Sequence, residues 1–292
     1  MNMKFDPDQF PTGLSEQLEP LVVRVLAGNP SPYTYTGTQT YVVGNGSDRA
    51  VIDPGPVFDD HIDAILAAVG DASISAIMCT HTHRDHSPAA KPLAARTGAP
   101  IIGCAPLVLE DDGPRVDESF DKNYNPDRVL VDGETVSGDG WTIEAVATPG
   151  HTSNHLCYAL QESGALFTGD HVMAWSTSVI VPPDGNMSDY MASLQKIYDR
   201  DDKVYYPAHG KKVEKPRQLV RGMMGHRKQR ERQILKLLEG GAAAIPDMVT
   251  KMYKGLDPRL TGAAGQSVRA HLIDLQNRGI VGADGEIWKM SA

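Results

Sequence analysis

The segment Cys79-Thr-His-Thr-His-Arg-Asp-His-Ser87 places three histidines and an aspartate, His81, His83, Asp85 and His86, within six residues. An apolar run at 74–78 comes directly before it, so the group is expected where a β-strand ends and the chain turns. Alternate side chains of an extended chain point the same way, which would aim His81 and His83 at one place while the turn carries Asp85 and His86 to a second. Neutral imidazole and carboxylate suit Zn²⁺, and also Mn²⁺, Fe²⁺ or Co²⁺, and one such loop could serve two ions. A lone His-x-His is a weak signal, because such pairs also occur on solvated turns; four ligand-type side chains in six residues are a stronger one.

Three further candidates lie downstream, in Thr148-Pro-Gly-His151-Thr, Phe167-Thr-Gly-Asp170 and Tyr206-Pro-Ala-His209-Gly. Each follows a short β-like run, at 143–147, 165–168 and 203–206, and sits at a Gly- or Pro-containing turn. Loops held by a rigid sheet are where binding groups concentrate. Two divalent ions roughly 3.5–4 Å apart could share a hydroxide whose parent water has its pKa pulled from about 15.7 towards about 7. The same ions could polarise a scissile carbonyl or phosphoryl oxygen, so no serine or cysteine nucleophile is required.

In order, H-x-H-x-D-H, then His, Asp and His, this set resembles the metallo-β-lactamase superfamily over roughly residues 20–212. The resemblance implies that His81, His83 and His151 hold a first metal, that Asp85, His86 and His209 hold a second, and that Asp170 bridges them. Some true β-lactamases have Cys at the Asp170 position; with Asp there, the pattern is closer to the superfamily's general hydrolases and nucleases. Asp85 and His171 are the candidate catalytic residues. His171 follows Asp170 directly and could protonate a leaving group, contact substrate or orient a ligand. His155 is expected to support a ligand or fill the core. His61, His226 and His271, on helix-like segments, are expected to be solvated, and Tyr33, Trp175 and Tyr190 could line a pocket or the core.

The chain has 292 residues, 41% hydrophobic and 22% charged, as in ordinary globular proteins. Its first residues lack a basic region leading into an apolar one, and no run of about 18 apolar residues occurs, so a cytoplasmic protein without membrane spans is expected. Cys79, Cys104 and Cys157 are odd in number and lie in apolar strand-like contexts, which favours buried thiols. The net charge of −9 is unevenly spread: residues 1–210 hold 12 Lys and Arg against 29 Asp and Glu, and residues 211–292 hold 16 against 8. Nine cations fall between Lys211 and Arg232, starting two residues after His209. They could neutralise a phosphate backbone, or they could be a solvated helix face.

Strand-like segments at 21–26, 41–43, 50–53, 141–148 and 155–160 alternate with helix-like ones at 60–69 and 91–97. The periodicity permits an α/β layering of two sheets with helices outside, and the resemblance implies it: an αββα metallo-β-lactamase sandwich. The segment 28–33, together with 37–41, resembles an early loop that borders the site in relatives, which often have Asn at the position of Gln39. Beyond 212 the pattern becomes a basic helix at 218–239 stopped by Gly240-Gly241, helices at 246–253 and 265–277, and a hairpin turning at Asp284-Gly285. This is a small helical winged-helix-like domain, and the tail resembles that of the β-lactamase-like protein 2 group, in which single-stranded RNA cleavage is among the known activities. The expected division is 1–212, catalytic, and 213–292, basic helix and winged helix, with a homodimer as a further expectation.

The first functional reading is a dinuclear, zinc-type phosphodiesterase on single-stranded RNA, guided by the basic helix. The alternative is a small-molecule acyl hydrolase acting on a thioester, lactone or β-lactam-like substrate, favoured by the acidic catalytic region, which should repel nucleic acid. A binding protein with an inert metal domain is the third, and the seven filled ligand positions weigh against it.

Overall fold

The computed structural model describes residues 12–108 and 120–291. The chain divides into two compact units.

In the first unit, β1 (Ser15–Glu19), β2 (Val22–Leu26), β3 (Gln39–Val43) and β4 (Asp48–Ile52) form an antiparallel meander. From β4 the pairing becomes parallel, through β5 (Ser73–Cys79), β6 (Ile101–Gly103) and β7 (Arg128–Val129), giving seven strands in sequence order. Parallel neighbours need crossovers, which α1 (Asp59–Val69) and α2 (Ala90–Thr97) provide. The second sheet has the order β12-β11-β10-β9-β8, formed by β8 (Thr135–Gly138), β9 (Trp141–Ala147), β10 (Leu156–Leu160), β11 (Ala165–Gly169) and β12 (Val204–Pro207). One apolar cluster joins Val25, Val51 and Ile77 of the first sheet to Ile143, Tyr158 and Phe167 of the second, and α1 adds Ile62, Ile65 and Val69 to it. The sheets therefore face each other, as the layered α/β reading expects.

The second unit contains α3 (Met187–Asp199), most of α4 (Pro216–Glu239), α5 (Ile245–Met252), α6 (Thr261–Asn277) and a three-stranded sheet, β13-β15-β14, of β13 (Ala243–Ala244), β14 (Val281–Asp284) and β15 (Ile287–Met290). Ile234 and Leu238 of α4, Met248 of α5, Val268 and Leu272 of α6 and Trp288 of β15 share its core, the small helical domain expected from the sequence. Gly241 closes α4 at φ 128° with its N–H on Leu238 O.

Several details differ from the sequence reading. The hairpin turns at Gly285-Glu286, since Asp284 pairs with Ile287. Helix α6 starts at Thr261, where a 3-10 turn at Pro258–Leu260 already sets the helical direction that Gly262 and Gly265 disguise. His61 and His271 are not solvated: both are buried, His61 at the edge of the apolar stripe of α1 and His271 within α6. The three cysteines are buried thiols, as expected. No helix among the described residues is long and apolar enough to cross a membrane.

Candidate metal centre

Each of the seven expected ligands sits where a strand gives way to a loop, after β5, β9, β11 or β12. Two groups result: His81, His83, His151 and Asp170, and Asp85, His86 and His209, each with one ligand atom per residue within 4.8 Å of the others. Asp170 reaches the second group as well, its Oδ1 lying 3.2 Å from His209 Nε2 and 3.7 Å from His86 Nε2. Asp85 Oδ2 is 3.2 Å from His209 Nε2 and 3.4 Å from His86 Nε2. Ligands about 2.0–2.1 Å from a tetrahedral ion stand about 3.3 Å apart, so these spacings fit a divalent metal of that size. In the first group His81 Nε2 lies 2.9 Å from His83 Nδ1.

The imidazoles are held from behind. His81 Nδ1 meets Thr80 Oγ1 at 3.0 Å, His86 Nδ1 meets Asp53 Oδ2 at 3.0 Å, His209 Nδ1 meets Gly37 O at 3.2 Å and His151 Nδ1 meets Val179 O at 2.6 Å. A ring that donates from Nδ1 keeps its Nε2 lone pair for the metal side. The Nε2 atoms of His86 and His209 are buried and make no hydrogen bond among the described residues. Buried nitrogens left so beside two carboxylates fit a cation. Burial works against charge on Asp85, yet His86 and His209 hold its carboxyl well below the usual range. Burial likewise pulls His86 and His209 down, and the facing carboxylates of Asp85 and Asp170 override it and raise both.

Of the residues behind the second group, Asp53 and Gly37 are not singled out by the sequence, and Gln39 is noted there only as a departure from the Asn of relatives. Asp53, at the end of β4 with φ 48°, accepts from Thr80 N, from Thr80 Oγ1 and from His86. The Asp53-Pro-Gly string marks a strand end, but nothing in its spacing links it to His86. Gln39 donates to Pro207 O at 3.0 Å and to Gly210 O at 2.5 Å, while its Oε1 accepts from Arg24, so it clamps the loop that carries His209. Gly37 lies at φ 129°, where a Cβ would stand 2.2 Å from Ala27 O, so only glycine offers its carbonyl to His209 there.

Of the remaining histidines, His155 is buried, its Nδ1 on Thr148 Oγ1 at 2.9 Å and its Nε2 accepting from Asp170 N at 3.3 Å, the supporting role expected for it. His171 is fully buried beside Asp170, its ring 6.0 Å from that of His155. His226 is half-buried on α4 rather than fully solvated. Trp175 stacks on Tyr35 with ring centroids 5.1 Å apart, Tyr33 is exposed, and Tyr190 is buried on α3.

Residues 33–209 match the family model of the Metallo-beta-lactamase superfamily, and residues 244–288 match the Beta-lactamase associated winged helix domain. The atrochrysone carboxyl ACP thioesterase dmxR1 of Cryptosporiopsis sp. is 34% identical over 229 residues, which are 77% of this chain and 65% of that protein, so the chain spans just under two thirds of its length. The Beta-lactamase-like protein 2 homolog of Caenorhabditis elegans is 32% identical over 91% of this chain and 88% of its own. In fold, the crystal structure of a Beta-lactamase domain protein from Burkholderia ambifaria superposes with a TM-score of 0.78 at 18% identity, covering 96% of this chain and 94% of that one.

Proposed function

Since the chain belongs to the metallo-β-lactamase superfamily and carries the associated winged-helix domain, we propose that it is a hydrolase that cleaves acyl thioesters with two divalent metal ions, zinc being the first choice. The observation that carries this reading is the cluster of Asp85, His86, His209 and Asp170 with Nε2-to-carboxylate distances of 3.2 to 3.7 Å. His81, His83, His151 and Asp170 would hold one ion, Asp85, His86 and His209 the other, and Asp170 would serve both. Bound there, the ions would supply Lewis-acid activation of water and of the acyl carbonyl. The chain's own residues fix the imidazole orientation through Thr80, Asp53, Gly37 and Val179 and hold the negative charge that retains the ions. On this reading residues 1–212 carry the chemistry and 213–292 form an accessory domain.

Two considerations favour the acyl reading over the RNA phosphodiesterase that the basic stretch first suggests. The relative with 34% identity is named a thioesterase acting on an ACP, an acyl carrier protein. A thiolate leaving group has a pKa near 8.5, so its departure at neutral pH demands little from a general acid and leaves His171 free to act as a supporting residue. An RNA alkoxide would need a proton donor.

The test is turnover of acetyl- and hexanoyl-pantetheine thioesters by metal-analysed protein, beside a labelled single-stranded RNA and with Asp170→Ala as control. Thioester cleavage that disappears with the metal in Asp170→Ala, and intact RNA, are expected. Cleaved RNA with an untouched thioester would reverse the assignment.

A further inference from the structure

The cations of α4 fall into two sets. Arg227 is 3% exposed and Arg230 is half-buried, and both are engaged inside the second unit. Arg217, Arg221, Lys228, Arg232 and Lys236 are exposed. At about 100° per residue these five fall within an arc of roughly 100° along one side of α4, and at about 1.5 Å per residue the stripe runs for roughly 28 Å. Between Arg217 and Lys236 no acidic residue lies in it; Glu239, about one turn past Lys236, falls on the same side at the end of the helix. Gly225 falls in the same stripe, and a Cβ there would meet nothing within 4 Å, which leaves the floor open and flat.

Near its middle the stripe borders a groove of about 450 Å³ walled by Ser188, Met191, Lys228, Arg232 and Arg278. The anions of that groove are committed, Glu231 and Asp274 both pairing with Arg278. Arg221, Lys228, Arg232 and Lys236 have no ion pair among the described residues. Like charges four residues apart, as in 217/221, 228/232 and 232/236, weaken a helix, so the stripe does not serve the helix itself.

We propose that this face of α4 docks an acidic carrier protein that presents the acyl group as a thioester, a proposal that rests on the acyl-hydrolase reading. The choice of protein over RNA comes from what the stripe lacks. Single-stranded nucleic acid is gripped by aromatic side chains on which bases stack, and α4 contains no Phe, Tyr or Trp. A straight, glycine-floored row of exposed cations instead complements a rigid surface of Asp and Glu, where charge steers encounter and fixes register.

The experiment compares the full chain with a triple variant, Arg221→Glu, Lys228→Glu and Arg232→Glu, whose fold is checked by its melting temperature. Substrates are a hexanoyl-loaded acyl carrier protein and hexanoyl-pantetheine, and fluorescence anisotropy follows binding of the unloaded carrier. KM for the loaded carrier should rise by about tenfold or more in the variant, and in the unaltered protein between 50 and 500 mM salt, with pantetheine kinetics unchanged. An unchanged carrier KM, or carrier binding insensitive to the substitutions, would overturn the docking proposal and make the stripe a solvated face. Loss of single-stranded RNA binding in the variant, with carrier binding intact, would overturn it in favour of a nucleic-acid surface. If neither thioester is hydrolysed the acyl reading fails, and the anisotropy arm still decides docking.

Discussion

Asp53 Oδ2 and His86 Nδ1 stand 3.0 Å apart, and the same carboxylate takes the N–H and the hydroxyl of Thr80, whose Oγ1 in turn meets His81 Nδ1. One residue at the end of β4 thus orients a histidine in each of the two ligand groups, directly in one and through Thr80 in the other. Its left-handed backbone, φ 48°, is a conformation that Asp tolerates better than most residues and that sets the carboxylate under the loop after β5.

Replacing Asp53 by Asn should therefore loosen metal without removing a ligand. The amide group cannot accept from all three donors, and one Asn N–H would face another donor. Metal affinity should fall by roughly 10–100-fold, as is usual for lost partners of ligating histidines. A competitive chelator titration reads this directly, and an unchanged affinity would mean that the rings are positioned by packing alone.

Gln39 predicts a separable effect on the His209 side. Pro207 O keeps the Tyr41 hydroxyl at 2.6 Å when Gln39 is truncated, but Gly210 O loses the Nε2 donor. Gln39→Ala should cost about 1–3 kcal/mol for the buried carbonyl left unpaired. Urea unfolding measures the loss, and added Zn²⁺ should recover less stability in the variant than in the parent, because the loop bearing His209 is no longer clamped.

His61 makes the first unit acid-sensitive for a reason unconnected with metal. Its Nε2 lies 2.9 Å from Thr40 Oγ1, and burial pushes the imidazole down from 6.5 to about 4. In the unfolded chain it titrates near 6.5, so between about pH 6.5 and 4 the unfolded state binds the extra proton. The contribution of His61 to stability must then decline as pH falls through that window, by about 2 kcal/mol at pH 5, and be flat above it. In metal-depleted protein the raised His86 and His209 act in the opposite direction, so the readout is the difference between parent and His61→Gln: the parent should lose more stability, or gain less, from pH 7 to pH 5, and an equal change in both would assign the acid sensitivity elsewhere, His271 being next in line, pushed by burial to about 3.

The ligand loop was legible because its chemistry is local: His81 to His86 span one strand end, and the strand-then-turn pattern says where they point. Their supports were not, because Asp53, Gln39 and Gly37 reach His86 and His209 only through tertiary pairing, 33 to 172 positions apart. His61 was legible in principle. On α1 it borders the stripe of Ile62, Ile65 and Val69, and weighing the helical angle rather than the residue's polarity would have placed it inside. The basic stretch shows the same lesson in reverse, since a run of cations read as one feature separates on a helix into an outer stripe and an inner pair.

Arg227 and Lys228 are neighbours in sequence with opposite duties, which a pair of substitutions should reveal. The Arg227 guanidinium lies over the Tyr190 ring at 5.2 Å, donates to Ser267 Oγ at 3.0 Å and bonds the Ser178 carbonyl, tying α4 to α3, α6 and the segment before α3. Arg227→Ala removes these bonds and opens a cavity in the second unit, an expected loss of about 3 kcal/mol. Arg227→Lys should recover little, because an ammonium cannot both stack on the ring and reach two acceptors in a fixed plane. Lys228→Ala, by contrast, should change stability by no more than about 0.5 kcal/mol, as exposed positions do. Thermal unfolding of the three variants settles the comparison: equal losses at 227 and 228 would mean that the inner and outer cations of α4 do not differ, and the docking stripe would lose its basis.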